Sequence, residues 1–228
     1  MWRRHVHAFR HSTRSSVATA STASTTPTAS TPVALTLAKA KILAAAAVLT
    51  DADLPGYAAK AQGHDATNVA FDAKMATCLG VTNPTYLTRN FGTAFSKGGV
   101  EIDSSADVAT SAANAKTQLA GMTSSKAPTC LKSQLTAAFA SSGLTATSFS
   151  AQPVSVTVPG RDAAFAYRIV LAATVQGHKI EIRGFITGSL VGQVEVSLAV
   201  LVPSATPVTL EQTTALQTKT TARTKAAS

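Results

Sequence analysis

Aromatic residues make up only 5% of this 228-residue chain and charged residues 14%, with 11 acids against 20 lysines and arginines. So few rings give single-stranded nucleic acid little to stack on. The formal charge of +9 would still point to a polyanion if it were gathered on one folded surface. Instead, residues 1–32 hold Arg3, Arg4, Arg10 and Arg14 with no acid, and residues 211–228 set Lys219, Arg223 and Lys225 against Glu211. The excess sits at the two ends, as basic tails commonly do, and no nucleic-acid partner is expected.

The chain also lacks a G-x-S-x-G nucleophile elbow, a P-loop and a G-x-G-x-x-G phosphate cradle. Its two cysteines, Cys78 and Cys130, have no nearby histidine and cannot form a four-ligand zinc site. His5, His7 and His11 fall in the basic start, His64 in a loop and His178 in a hairpin turn; Asp51 and Asp53 read as turn formers. No catalytic residue, metal or cofactor is assigned.

Long apolar runs are scarce. The stretch 33–50 is the nearest to a membrane span, but Lys39 and Lys41 stand inside it, at a few kcal/mol each in mid-bilayer. It reads as an amphipathic helix that packs through Ile42, Leu43, Ala46 and Leu49. The basic start lacks the apolar segment of a secretion signal, and residues 11–32 are Ser/Thr/Pro-rich without apolar periodicity. Residues 1–32 are therefore expected to be a disordered tail or linker, with an export or anchor segment lying upstream of Met1 or lost. Residues 33–218 are expected to form one domain, and residues 219–228 a frayed basic tail.

What the chain does have is period-two alternation across 154–202, the pattern of strands with one apolar face. Four strands of an antiparallel meander are predicted: 154–158, then one carrying Phe165 to Val175, one carrying Ile180 to Ile186, and one carrying Val194 to Val202. A two-residue loop at Gly177 and His178 pairs Val175 with Ile180. A three-residue loop at Leu190, Val191 and Gly192 brings the last strand's valines onto the same face. Upstream, helices are predicted over 66–79, 111–122 and 127–140, and a hairpin around Lys97, Gly98 and Gly99. A last short helix is expected over 208–218. Helices thus cluster before the sheet, and the class is α+β. Cys78 and Cys130 lie at two helix ends and are read as a disulfide, which implies an oxidising compartment.

The order of a helix, the Asp53-Leu54-Pro55 turn, a helix ending in Cys78-Leu79-Gly80, a hairpin, a helix, Cys130-Leu131 opening another, and a long meander resembles one family. It is the extracellular sensor domain of mycobacterial PknH-type serine/threonine kinases, with related small secreted or lipid-anchored actinobacterial proteins. The resemblance covers about 35–216 and implies a cleft-bearing α+β module that senses an extracytoplasmic ligand and is tethered to the membrane. The chain departs from the family in having no kinase domain, one cysteine pair where the kinase sensors have two, and no lipid-attachable cysteine near its start.

On the predicted polar face of the meander, Arg168 is placed opposite Thr187 with Glu195 next across, and Arg183 opposite Ala172. Arg168, Arg183, Thr187 and Glu195 are the candidate ligand-binding residues, the arginines offering forked donors to a carboxylate or phosphate. The function expected is non-catalytic, extracytoplasmic binding or sensing by a monomer. The alternatives are a structural or interaction module of the cell envelope, which a domain without a cleft would favour, and a secreted hydrolase.

Overall fold

The computed structural model describes residues 35–62, 66–141, 143–175 and 177–228, without the side chains of residues 66–69 and 141. The expected tail 1–32 lies outside them. The architecture is α+β: five helices and an eight-stranded antiparallel sheet. The helices are α1 (Leu37–Ala46), α2 (Ala66–Leu79), α3 (Ala112–Met122), α4 (Ala127–Ser141) and α5 (Leu210–Ala227). The strands are β1 (Ala58–Ala61), β2 (Tyr86–Asn90), β3 (Thr93–Lys97), β4 (Val100–Ala109), β5 (Thr145–Pro153), β6 (Ala163–Val175), β7 (His178–Val191) and β8 (Val194–Pro203). They run β1-β3-β4-β8-β7-β6-β5, with β2 pairing farther along β4 than β3 does.

Both faces of this sheet are covered, and that corrects the predicted meander. Val191 pairs with Val194 around a two-residue Gly192-Gln193 turn, with Gly192 left-handed at φ +60°. The predicted loop differs from this one by an odd number of register positions, which sends every β8 side chain to the opposite face. Val194, Val196, Leu198 and Val200 therefore pack under α1 and α5, not beside Phe165 and Ile169. The β6–β7 hairpin also differs, pairing Val175 with His178 and Ala173 with Ile180. That shift is even, so its faces stand as predicted. The outermost strand is β5, not 154–158, and it pairs Phe149 with Leu171.

The odd register leaves Thr187 and Ser189 of β7 in the interior, both fully buried. Helix α5 satisfies them. Thr187 Oγ1 donates to Gln217 Oε1 at 2.8 Å, while Gln217 Nε2 donates to Ser189 Oγ at 2.7 Å and to the Val196 carbonyl at 3.1 Å. Thr221 Oγ1 and Ser189 Oγ share a further bond. Thr213, Gln217, Thr220, Thr221 and Thr224 form the buried stripe of α5, at helical spacing but without one apolar residue. Thr213, Thr220 and Thr224 each donate a hydroxyl to a carbonyl of their own helix, which lets the stripe enter a core without unpaired donors.

Residues 219–228 are thus the C-terminal half of α5 and not a tail, and the domain runs beyond residue 218. Arg223 there is tied to the body of the domain. Arg223 donates to the carbonyls of Ala46 and Val48, beyond the end of α1, and to both oxygens of Asp53. Lys39 of α1 donates in turn to the Ala227 carbonyl. Helix α1 buries Ala40, Leu43 and Ala44, while Ile42, expected to pack, is 58% exposed. Among the described residues no helix is long and apolar enough to cross a membrane.

On the other face, α2, α3 and α4 lie over Phe165, Tyr167, Ile169 and Leu171. Cys78 near the end of α2 is joined to Cys130 in the first turn of α4, with Cα atoms 5.7 Å apart, so the pair read from the sequence is present. Tyr167 donates its hydroxyl to the Met122 carbonyl at 2.6 Å, tying β6 to the end of α3.

Candidate functional site

Between the α2–α4 layer and the sheet lies a cleft of about 330 Å³. Its roof comes from one stripe of α2, where Phe71, Asp72, Met75 and Leu79 follow the i, i+4 and i+8 spacing of a helix face, and from Leu131 and Leu135 of α4. Its floor is the odd-numbered face of β4 and β8, Asp103, Ser105 and Asp107 beside Glu195, Ser197 and Ala199, bordered by Phe165 and Ile186. Gly188 between them has a steric role. A Cβ there would come within 2.2 Å of the Phe165 ring, so the missing side chain leaves room for that ring against the sheet. The result is a space greasy at one end and charged at the other.

The charged end is built from sheet register. Arg89, Asp107 and Glu195 occupy one row across β2, β4 and β8, because Arg89 pairs with Asp107 and Asp107 with Glu195. Arg89 Nε and Nη2 donate to the two oxygens of Asp107 at 2.7 and 2.8 Å, and Nη1 pairs with Asp72. The Tyr86 and Phe91 rings lie 4.5 and 4.9 Å from its guanidinium. Arg89 is therefore committed to the protein itself. Across the floor, Asp103 accepts from the Gln62 amide; burial and then Glu101 raise its carboxyl above the usual range against that bond.

Glu195 is the exception in this network. It directly opposes Asp107, an unfavourable like-charge pair on neighbouring strands. Among the described residues it makes no hydrogen bond and no ion pair. It is half-buried on the sheet and lines the cleft. Burial first, then Asp107 and Asp72, push its carboxyl up to about 8, against the opposing pull of Arg89. A carboxyl whose folded pKa is raised contributes stability that is complete below its unfolded value near 4.5 and lost as pH rises through about 8. Glu195→Gln should therefore match the parent near pH 4 and exceed it at pH 8.5 by on the order of 2–4 kcal/mol, read as a melting-temperature gap that widens over that window. A gap constant with pH would refute this.

The four residues proposed from the sequence do not converge. Glu195 lies in the cleft, whereas Arg168, Arg183 and Thr187 lie on the opposite face of the sheet, a consequence of the odd register of β8. Arg168 is exposed, pairs with Phe185 in place of Thr187, and has its guanidinium 5.9 Å from that ring. Arg183 is exposed, pairs with Val170 in place of Ala172, and bridges to Glu181. Thr187 is sealed beneath α5. The floor of arginines expected to take an anion is therefore not assembled.

Arg89, Asp107, Asp72 and Asp103 were missed as site residues. Only the alternation of Asp103, Ser105 and Asp107 with Ile102, Ser104, Ala106 and Val108 hinted at a strand with one polar face, and nothing local said that this face lay under a helical roof. Among the described residues no group of three or more His, Cys, Asp or Glu side chains is placed to hold a metal ion. Compared with family models, curated proteins and solved structures, the chain matches none of them, so its site is defined by its own geometry.

Proposed function

We propose that the protein is a non-catalytic ligand-binding module of the sensor type, working outside the cytoplasm, with the cleft between the α2–α4 layer and the sheet as its binding site. The observation that carries this reading is the cleft itself, a space of about 330 Å³ with apolar walls and a few convergent polar groups at one end, the usual make-up of a small-molecule site. The resemblance to extracellular kinase sensor domains points the same way, and a disulfide between two roof helices suits an oxidising compartment. A structural module of the envelope would have no use for such a space. Binding is favoured over hydrolysis because both oxygens of Asp107 are held by Arg89, which leaves the neighbouring Glu195 without a free carboxylate to act as base or nucleophile beside it.

The reading is tested by NMR titration with a set of small amphiphiles. At least one should shift amide resonances of Ser105, Ser197 and Met75 together, and Ser197→Phe, which fills the cleft from its floor, should abolish those shifts while the rest of the spectrum is preserved. Shifts that survive in Ser197→Phe, or a set that leaves the cleft resonances unmoved, would overturn it.

A further inference from the structure

We infer that the cleft selects cations, and that its ligand is a small amphiphile with an ammonium or amidinium head set against Glu195 and an apolar body lying along Phe71, Met75, Phe165 and Ile186. This deepens the reading above and rests on it. Four carboxylates line the cleft, Asp72, Asp103, Asp107 and Glu195, against one guanidinium, that of Arg89. That guanidinium already engages Asp107 through Nε and Nη2 and Asp72 through Nη1 and lies against two aromatic rings, so its charge is committed within the protein. An anion entering here would meet a lining in which carboxyls outnumber cations, and like charges repel.

Independent of the charge count is the state of Glu195. It is half-buried, lines the cleft, and makes no hydrogen bond or ion pair among the described residues. A buried polar group is normally paired, and an unpaired carboxylate is costly in proportion to its burial. Once Glu195 is ionised, above about pH 8, its missing partner must carry donors and should carry positive charge, because Asp107 lies directly across the strand. A bare metal ion fits poorly, since among the described residues no three His, Cys, Asp or Glu side chains are placed to hold one. A head with directional N–H donors can reach Glu195 and the Ser105 and Ser197 hydroxyls of the next row. Beyond that head the lining turns apolar, which calls for a hydrocarbon or ring body.

The test uses three probes of one chain length, n-octylamine, n-octanol and octanoate, titrated calorimetrically into the full chain at pH 8.5. An alkylamine, like a lysine head with a pKa of about 10.4, is still charged there. Octylammonium should bind at least tenfold tighter than octanol, and octanoate should show no binding. Glu195→Gln should weaken octylammonium about tenfold and leave octanol unchanged, a split that a folding defect would not produce. Added salt should weaken octylammonium alone. Octanol or octanoate binding in the cleft as tightly as octylammonium would overturn the cation preference while sparing the binding function. Failure of all three to bind would overturn both. Octylammonium binding that Glu195→Gln leaves intact would remove Glu195 from the site and with it the inference, and Asp103→Asn serves as the matched control at the edge of the floor.

Discussion

Replacing Cys78 and Cys130 together by serine should lower the free energy of unfolding by about 4 kcal/mol. The bond spans 52 residues, and in the chain-entropy model closing a loop of that length removes about 4 kcal/mol of freedom from the unfolded state. For a domain whose net stability is of order 5–15 kcal/mol this is a major share. The effect should not be confined to the unfolded chain. Cys78 ends the helix that carries Met75 and Leu79, and Cys130 opens the helix that carries Leu131 and Leu135, so the bond joins the two halves of the cleft roof. Urea titrations with and without reductant give the measurement. The oxidised protein should have the higher midpoint, and amides of α2 should exchange faster after reduction. Identical midpoints under both conditions would show that the linkage does not hold the roof.

Arg89→Met should cost about 3–5 kcal/mol at neutral pH, the usual penalty when one partner of a buried ion pair is removed. Arg89 is 13% exposed, and its partners Asp107 and Asp72 are 15% and 27% exposed, so solvent screens the loss poorly. Without the guanidinium, both oxygens of Asp107 would lose their donors while Glu195 stands directly opposite. Adding Asp107→Asn to Arg89→Met should recover a large part of the loss, which a mere packing defect would not allow. Arg89→Lys should recover little, because an ammonium cannot make the forked contact with Asp107 while stacking between Tyr86 and Phe91. Denaturation of the four proteins at pH 7 decides the matter, and a double variant no more stable than Arg89→Met would overturn the electrostatic account.

The parts of the fold legible in the sequence were those set by local pattern. Pro128 and the Cys130 turn marked the start of α4, Ser111 capped α3, and the alternation from Phe165 to Leu171 placed that side of β6 in the core. The disulfide could be read because two thiols without histidine leave few other uses. Helix α5 was only half legible, because the search for a buried face looks for apolar residues, and this face is built from threonines and Gln217. The candidate site was almost illegible. Of its charged residues only Glu195 was singled out, and it was set beside the wrong partners.

By itself the sequence determined the α+β class, the position of most helices and of the long hairpin, and the pairing of its two cysteines, since each depends on spacing within a short window or on a small set of alternatives. Tertiary structure decided which side of β8 faces which layer, and with it the site. An odd shift of register, three positions from the one predicted, turns Val194 to Val202 toward α5 and Glu195 toward the cleft. That choice depends on whether Gln217 and Thr221, more than 25 residues away, satisfy Thr187 and Ser189. No window along the chain contains both halves of that bargain, and only the folded protein brings them together.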